Sequence, residues 1–310
     1  MSRLAALAAA IVLACPVPAG ASEAMAKAMA SVVSVLPEWP GRPPDAEAPE
    51  GSGVVVGDGQ WIVTAAHVLE GARHVLVRDA DGNVMEAVPG PLSDAADLAL
   101  LRIEQPLPVL EWAEASPQPG TPVCVIGNAF GLDHSLACGV VSAVRRSDVG
   151  FNAIEDFIQT DAAVNPGMSG GALVDAQGRL SGILSAIFTK QSDANIGVNF
   201  AVSTELARTV TQALMEKGAF RPAASGMALK PAPVSGETGK GGAEAVAVTP
   251  DGAAALAGLK PGDRILYAGN RRVRGPGDMR AVLALTPPGE KLPLRVLRDG
   301  EELTVELQPR

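Results

Sequence analysis

Ser169, His67 and Asp97 are the residues of this 310-residue chain whose types and settings could carry out acyl transfer. Ser169 lies in Asp161–Leu173, DAAVNPGMSGGAL, with Gly167 two places before it and Gly170-Gly171 directly after. Small neighbours suit a nucleophile on a tight turn, where backbone N–H groups must point at a reacting carbonyl oxygen. Taken alone, such a segment reads equally as the loop of a β-hairpin, so it needs partners elsewhere in the chain. His67, in Ile62–Val68, stands where an apolar strand enters a turn of small residues. Asp97 opens Asp97–Leu101, DLALL, whose apolar residues draw it towards a buried edge. A buried carboxylate is costly unless paired, and an imidazole N–H is the partner that acyl transfer requires. The other two histidines, His74 in a charged alternating strand and His134 in a polar loop, are expected to face solvent.

The elements available to hold these groups are short and mostly strands. Aliphatic runs recur between turn signals at Gly53–Val56, Trp61–Thr64, His74–Arg78, Leu98–Ile103, Thr121–Ile126 and Leu136–Val144. They continue at Asp156–Thr160, Ala172–Val174, Leu180–Ile187 and Val198–Val202, a spacing that predicts an all-β sandwich or barrel. Glu205–Lys217 breaks the pattern with helical spacing and a stop at Gly218. Phe220–Gly242, rich in Pro and Gly, is expected to be a loose linker. Beyond it, strands at Ala245–Val248 and Arg264–Ala268, helices at Ala253–Gly258 and Asp278–Leu285, and a hairpin of Leu292–Arg298 with Glu302–Leu307 predict a separate α+β module. The fold class is therefore mainly β, with a small α+β domain behind it.

At the N-terminus, Arg3, the apolar Leu4–Ala14 and Ala19-Gly20-Ala21 form a secretory signal peptide with cleavage after Ala21. This predicts export to the periplasm. A lipobox reading of Ile11–Cys15, with Cys15 as a lipidated anchor, competes with it. The expected division is a signal peptide over 1–21, an N-terminal extension over 22–50 and a first domain over 51–218. Residues 219–242 form a linker and the start of the second domain, which occupies 243–310. After cleavage two cysteines remain, Cys124 and Cys138, which either pair in an oxidising compartment or serve as two small buried hydrophobes. The net charge of −9, with no long basic run, argues against a nucleic-acid partner. No clustered His/Cys ligands suggest a metal, and no cofactor is expected.

The order His, Asp, Ser is that of chymotrypsin-like enzymes on a double β-barrel. Thr64–Val68 (TAAHV), Asp97–Leu101, Ile126-Gly127-Asn128 with Phe130-Gly131-Leu132, and Asn165–Gly171 (NPGMSGG) resemble the corresponding motifs of the HtrA/Deg serine proteases. Ala257–Leu266, AGLKPGDRIL, is similar to the hallmark segment of an HtrA-type PDZ domain. The likeness covers residues 50 to 310 with its motifs in order. It implies a serine endopeptidase for unfolded or misfolded polypeptides, working as a homo-oligomer, a trimer in relatives. Ser169 would be the nucleophile, His67 the general base and then acid, and Asp97 the group that orients the imidazole. The N–H groups of Gly167 and Ser169 would form the oxyanion hole.

Enzymes of this fold that cut after Lys or Arg carry an aspartate six residues before the nucleophile, where this chain has Ala163. With Ile183, Ile196, Val198 and Phe200 in the flanking strands, an aliphatic P1 residue is expected. Gly226 and Met227 stand where the family's PDZ carboxylate loop would bind a C-terminal peptide. The family's aromatic-Leu-Gly-aliphatic pattern is poorly matched there, which predicts weak binding or a regulatory cap. Met168 replaces the usual asparagine, Asn199 a glycine and Cys138 a serine or threonine. The alternative function is a non-proteolytic chaperone or peptide-binding protein that keeps the fold with a resting site.

Overall fold

The computed structural model describes residues 19–39, 51–187, 197–232 and 241–310, with backbone alone at 19–22 and 186–187. Of the segment expected as a signal peptide, residues 1–18, with Cys15, lie outside the described residues, as does Ile196.

Helix α1 (Ala19–Ala30) leads into a seven-stranded antiparallel sheet. Its strands are β1 (Val32–Glu38), β2 (Gly51–Val56), β3 (Trp61–Thr64), β4 (His74–Arg78), β5 (Val84–Glu86), β6 (Val88–Ser93) and β7 (Leu98–Arg102). They are ordered β5-β4-β1-β2-β3-β7-β6. Six further strands close into a barrel: β8 (Pro122–Asn128), β9 (His134–Arg146), β10 (Phe157–Thr160), β11 (Ala172–Asp175), β12 (Leu180–Ile187) and β13 (Asn199–Ser203). Helix α2 (Thr204–Lys217) follows, capped by Ser203, whose Oγ accepts the Leu206 N–H at 3.3 Å. Gly218 ends it in the left-handed conformation at φ 68°, the backbone region that glycine enters without a Cβ penalty.

Strand alternation decides where the core lies. In β2, Val54 and Val56 face the main core, while Val55 between them faces a second cluster with Ile62 and Val75. The main core joins the sheet to the barrel: Val63 and Leu100 meet Ile126 and Phe157, and Leu206 and Val210 of α2 seal them. The catalytic candidates lie along this seam, at strand ends.

The second domain is a sheet of β14 (Met227–Ala232), β15 (Gly242–Val248), β16 (Arg264–Ala268), β18 (Leu292–Arg298) and β19 (Glu301–Leu307), with the short β17 (Arg271–Arg272) on β16. Helices α3 (Ala253–Leu256) and α4 (Pro276–Leu285) pack against it.

Three expectations need correction. Residues 22–50 are not an appendage outside the first domain, because β1 pairs with both β2 and β4 in the middle of the sheet. The segment expected as a loose linker contains β14, paired with β15 from Met227↔Val248 to Ala232↔Gly242. The sequence reading also passed over β5 and β6. The missed strands β5, β6 and β14 lie at sheet edges, where Pro89, Gly90, Pro91 and Pro231 cost few ladder bonds and hide the strand pattern, and two-residue β17 was missed as well.

The second domain is fastened to the first through residues 147–156. Asp148 Oδ2 accepts the Gly277 N–H at 2.9 Å, at the start of α4, and Arg280 reaches back to Asp148 Oδ1 at 3.0 Å and to the Ala153 carbonyl at 2.7 Å. Buried Arg271 pairs with Asp156 at 2.7 Å and with Asp278 at 3.1 Å. Burial holds the Asp156 carboxyl above its ordinary range, against the charge of Arg271 that lowers it. Burial also pushes Asp278 up, but bonds from Arg274 and the charges of Arg271 and Arg274 outweigh it and bring Asp278 down to about 2. The segment itself is folded around one buried side chain. Glu155 Oε1 accepts the N–H groups of Gly150, Phe151 and Asn152 at 2.9, 2.6 and 3.0 Å, and Oε2 that of Val149 at 2.7 Å.

Candidate active site

His67 stands in a 3-10 turn, Ala66–Leu69, directly after β3. Asp97 ends another such turn, Asp94–Ala96, in the left-handed region at φ 53°. Aspartate is among the few residues that enter that region readily. The two are tied twice: the His67 backbone N–H donates to Asp97 Oδ1 at 2.9 Å, and Nδ1 lies 2.8 Å from Oδ2 and 3.0 Å from Oδ1. A carboxylate only accepts, so Nδ1 carries the hydrogen and the lone pair is on Nε2. That hydrogen bond raises the His67 pKa above its ordinary 6.5, against burial that lowers it; the charges of Asp97 and Glu70 add to the rise. Asp97 is 8% exposed, the buried edge that DLALL implied.

The third group at this carboxylate was not foreseen. Ser185 donates its Oγ–H to Asp97 Oδ2 at 2.9 Å. It lies where the β12–β13 register slips between Leu184 and Ala186, which frees its side chain to turn onto the aspartate. A serine in the apolar run Leu180–Ile187 was the available signal, since a buried hydroxyl needs a partner.

The serine turn is brought to the same place. Gly170 packs so closely on the Ser52 carbonyl and Thr64 Oγ1 that a Cβ there would overlap both, and its N–H donates to the Leu184 carbonyl at 2.7 Å. Ser169 thus lies beside the end of β3, which leads into the turn carrying His67, and beside the residue preceding Ser185. Four successive carbonyls of this turn are engaged. The Pro166 oxygen accepts from Phe130 N–H at 2.8 Å, Met168 from Gly171 N–H at 2.9 Å, and Ser169 from Ser52 N–H at 2.8 Å. Gly167 accepts from Ser52 Oγ at 2.8 Å, and that hydroxyl in turn accepts the Asn128 N–H at 2.8 Å. The Met168, Gly170 and Gly171 N–H groups are also used. Among the described residues, the N–H groups of Gly167 and Ser169 have no acceptor. Gly167 takes φ 91°, a conformation a side chain would resist, and a Cβ on it would strike the Asn128 carbonyl. Ser52 is the second residue that sequence reasoning missed; within GSGVVV it looked like strand filler.

Met168 is 1% exposed, packs in the barrel interior, and accepts the Asn165 N–H on its thioether sulfur at 3.4 Å. Asn199 is wholly buried and donates Nδ2–H to the Ala162 carbonyl at 2.8 Å, bracing the segment next to exposed Ala163. Of the expected pocket residues, Ile183 is fully buried in the main core and Phe200 nearly so, while Val198 is half-buried against it. Phe200 lies 5.6 Å from Phe157 and 5.8 Å from Phe151 between ring centres. In the second domain, Gly226 at φ 74° and half-buried Met227 line a cleft of about 460 Å³ with Ala223, Leu283, Arg280 and, from the first domain, Ile154.

Comparisons with known proteins agree with this architecture. Residues 51–183 match the model of the trypsin-like peptidase domain, and residues 194–308 that of the PDZ domain. The chain is 33% identical over 283 residues to the periplasmic pH-dependent serine endoprotease DegQ of Escherichia coli, covering 88% of this chain and 61% of that protein. It is 34% identical over 290 residues to the putative serine protease HhoB of Synechocystis, covering 88% of this chain and 69% of that protein. The chain thus spans about three fifths of the length of relatives such as DegQ. The structure of the HtrA-type protease AlgW with a tripeptide superposes with a TM-score of 0.74 at 33% identity, covering 93% of this chain and 96% of that one. The chain belongs to the HtrA family of serine proteases, with a trypsin-like peptidase domain followed by a PDZ domain.

Proposed function

We propose that the chain is a serine endopeptidase of the periplasm that cleaves unfolded or misfolded proteins, exported by a signal peptide removed after Ala21. The observation that carries this reading is the serine turn: its carbonyls are tied away and the N–H groups of Gly167 and Ser169 are left without acceptors, beside a histidine held by a buried aspartate. In this reading Nε2 of His67 takes the proton of Ser169 Oγ as the oxygen attacks the peptide carbonyl, then passes it to the leaving amine. Asp97 fixes the tautomer and stabilises the imidazolium, and Ser185 and the His67 N–H keep that carboxylate in place. The two N–H donors meet the developing oxyanion, an effect of roughly 3–4 kcal/mol per donor in other enzymes.

An aliphatic P1 residue is favoured by Ala163, which stands where enzymes of this fold that cut after Lys or Arg carry an aspartate, and by half-buried Val198. An extended substrate would add as a strand, so unfolded chains are cut and folded ones spared. The PDZ cleft would take hydrophobic C-terminal peptides, and its sharing of a wall with Ile154 favours a regulatory role. Assembly is proposed as a homo-oligomer, a trimer by likeness to the family.

The test compares the mature protein with Ser169→Ala on reduced casein and on peptides ending in Val, Leu, Lys or Arg at P1. Ser169-dependent degradation with preference for Val or Leu is expected. Equal degradation by both proteins sinks the protease reading in favour of a chaperone or peptide-binding role, and so does failure of both even with activating peptide. Cleavage after Lys or Arg alone sinks the pocket assignment.

A further inference from the structure

Cys124 and Cys138 are opposed register partners on β8 and β9, and they are joined as a disulfide. The two sulfurs are unequal. Cys124 is half-buried against the main core, whereas Cys138 is exposed on the outer face of β9 between Leu136 and Val140. Four residues beyond the bridge on β8, the hairpin reaches its tip, Ala129–Asp133, and that tip is what holds the nucleophile turn. Phe130 N–H fixes the Pro166 carbonyl at 2.8 Å, and Asn128 N–H acts on the Gly167 carbonyl through Ser52 Oγ. The Pro166–Gly167 peptide is trans, so anchoring its oxygen on Phe130 sends the Gly167 N–H in the opposite direction. The tip adopts this shape only under constraint: Phe130 takes left-handed φ, 55°, at a cost of about 1–2 kcal/mol, while Asp133 at 65° is of a type that enters that region more readily. The ladder beneath the tip supplies that constraint, and the disulfide is its one covalent rung.

We propose that Cys124–Cys138 is a reversible thiol–disulfide exchange site, and that its reduction by a dithiol lowers turnover by loosening the hairpin that aims the Gly167 N–H. The inference rests on the proposed role of Gly167 and Ser169 as oxyanion donors. A thiolate of the dithiol attacks Sγ of exposed Cys138, the S–S bond breaks, and Cys124 leaves as a thiolate that takes a proton from water. The second thiol of the dithiol then attacks the mixed disulfide, and Cys138 leaves as a thiolate and is protonated. Two electrons have passed from the dithiol, now a disulfide, to the protein. A disulfide oxidant reverses the sequence.

The experiment uses the full mature protein, purified oxidised, with dithiothreitol as the dithiol. Free thiols, kcat and KM on an aliphatic-P1 peptide and the thermal midpoint are measured before reduction, after it and after reoxidation. Ser169→Ala and the double variant Cys124→Ser/Cys138→Ser are run in parallel. As two thiols appear, kcat should fall about tenfold, less than the 10²–10³ of losing an oxyanion donor outright. KM should stay within about twofold, the native protein should remain folded at the assay temperature, and reoxidation should restore the rate. The double variant should sit at the lowered kcat and ignore dithiothreitol. Full kcat with two thiols exposed, no thiols released by excess dithiol, or a rate loss that follows the unfolded fraction each overturns the proposal. If the oxidised protein shows no Ser169-dependent hydrolysis, the protease reading itself has failed, and this inference with it.

Discussion

Replacing Gly167 with alanine tests the oxyanion turn without touching a side chain of the triad. Two penalties follow from the geometry. At φ 91° an alanine backbone is strained, by about 1–2 kcal/mol. The added Cβ also runs into the Asn128 carbonyl oxygen, so the turn must move by roughly 1 Å to regain ordinary contact. A displacement of that size takes the Gly167 N–H out of line while leaving the Ser169 N–H in place. Losing one such donor costs roughly 2.7–4 kcal/mol in the transition state, so kcat should fall about 10²-fold with KM little changed. Gly82→Ala is the matched control: its φ is 85° and nothing lies within 4 Å of the new Cβ. It should lower the thermal midpoint by the backbone cost alone and leave kcat at the wild-type value. Initial rates on an aliphatic-P1 peptide and melting curves decide the matter. Near-wild-type kcat in Gly167→Ala, or an equal loss in Gly82→Ala, would refute the reasoning.

Two further outcomes can be checked directly. Neutral His67 is the working form of the base, and its pKa is raised above 6.5, so the acid limb of the kcat/KM profile should lie above pH 6.5. Asp97→Asn removes the charge and weakens the hydrogen bond responsible, and should lower that midpoint along with the rate; an unmoved limb would contradict the assignment. The same shift links His67 to stability in a fixed sense: its contribution is full below 6.5 and is lost as pH rises through the folded-state value. In Glu155→Gln, the amide oxygen can still meet three N–H groups, but the new NH₂ faces the Val149 N–H, donor against donor. Loss of about 2–3 kcal/mol is expected, read as a lower urea midpoint at unchanged m; an unshifted midpoint would show that the loop does not depend on this carboxylate.

Most of the barrel and the three catalytic candidates were legible in the sequence because they obey local rules. Trp61–Thr64, His74–Arg78 and Leu180–Ile187 are apolar or alternating runs between turn residues, and they became strands with those limits. His67 and Asp97 stood at strand ends, where a functional side chain can leave the ladder. What stayed hidden was non-local. Ser52 and Ser185 acquire their roles only when strands distant in sequence meet, since the partners of their hydroxyls lie 115 and 88 residues away. The cysteine pair had two readings until the register of β8 and β9 placed the sulfurs together. Met168, a loss when compared with asparagine, keeps a polar contact through sulfur, which residue type alone does not announce.

The docking of the two domains sets a limit on modularity. Gly275 gives α4 no side-chain cap of its own, and the carboxylate of Asp148 completes the first turn from the other side of the domain boundary. The helix that walls the peptide cleft is therefore finished only by its neighbour. Transplanting residues 219–310 onto another enzyme would carry away an incomplete helix, and peptide affinities measured on the excised piece would describe a different cleft. A chimaera that brings residues 145–156 along keeps the helix whole, and the heritable unit of recognition is the pair of segments rather than either domain.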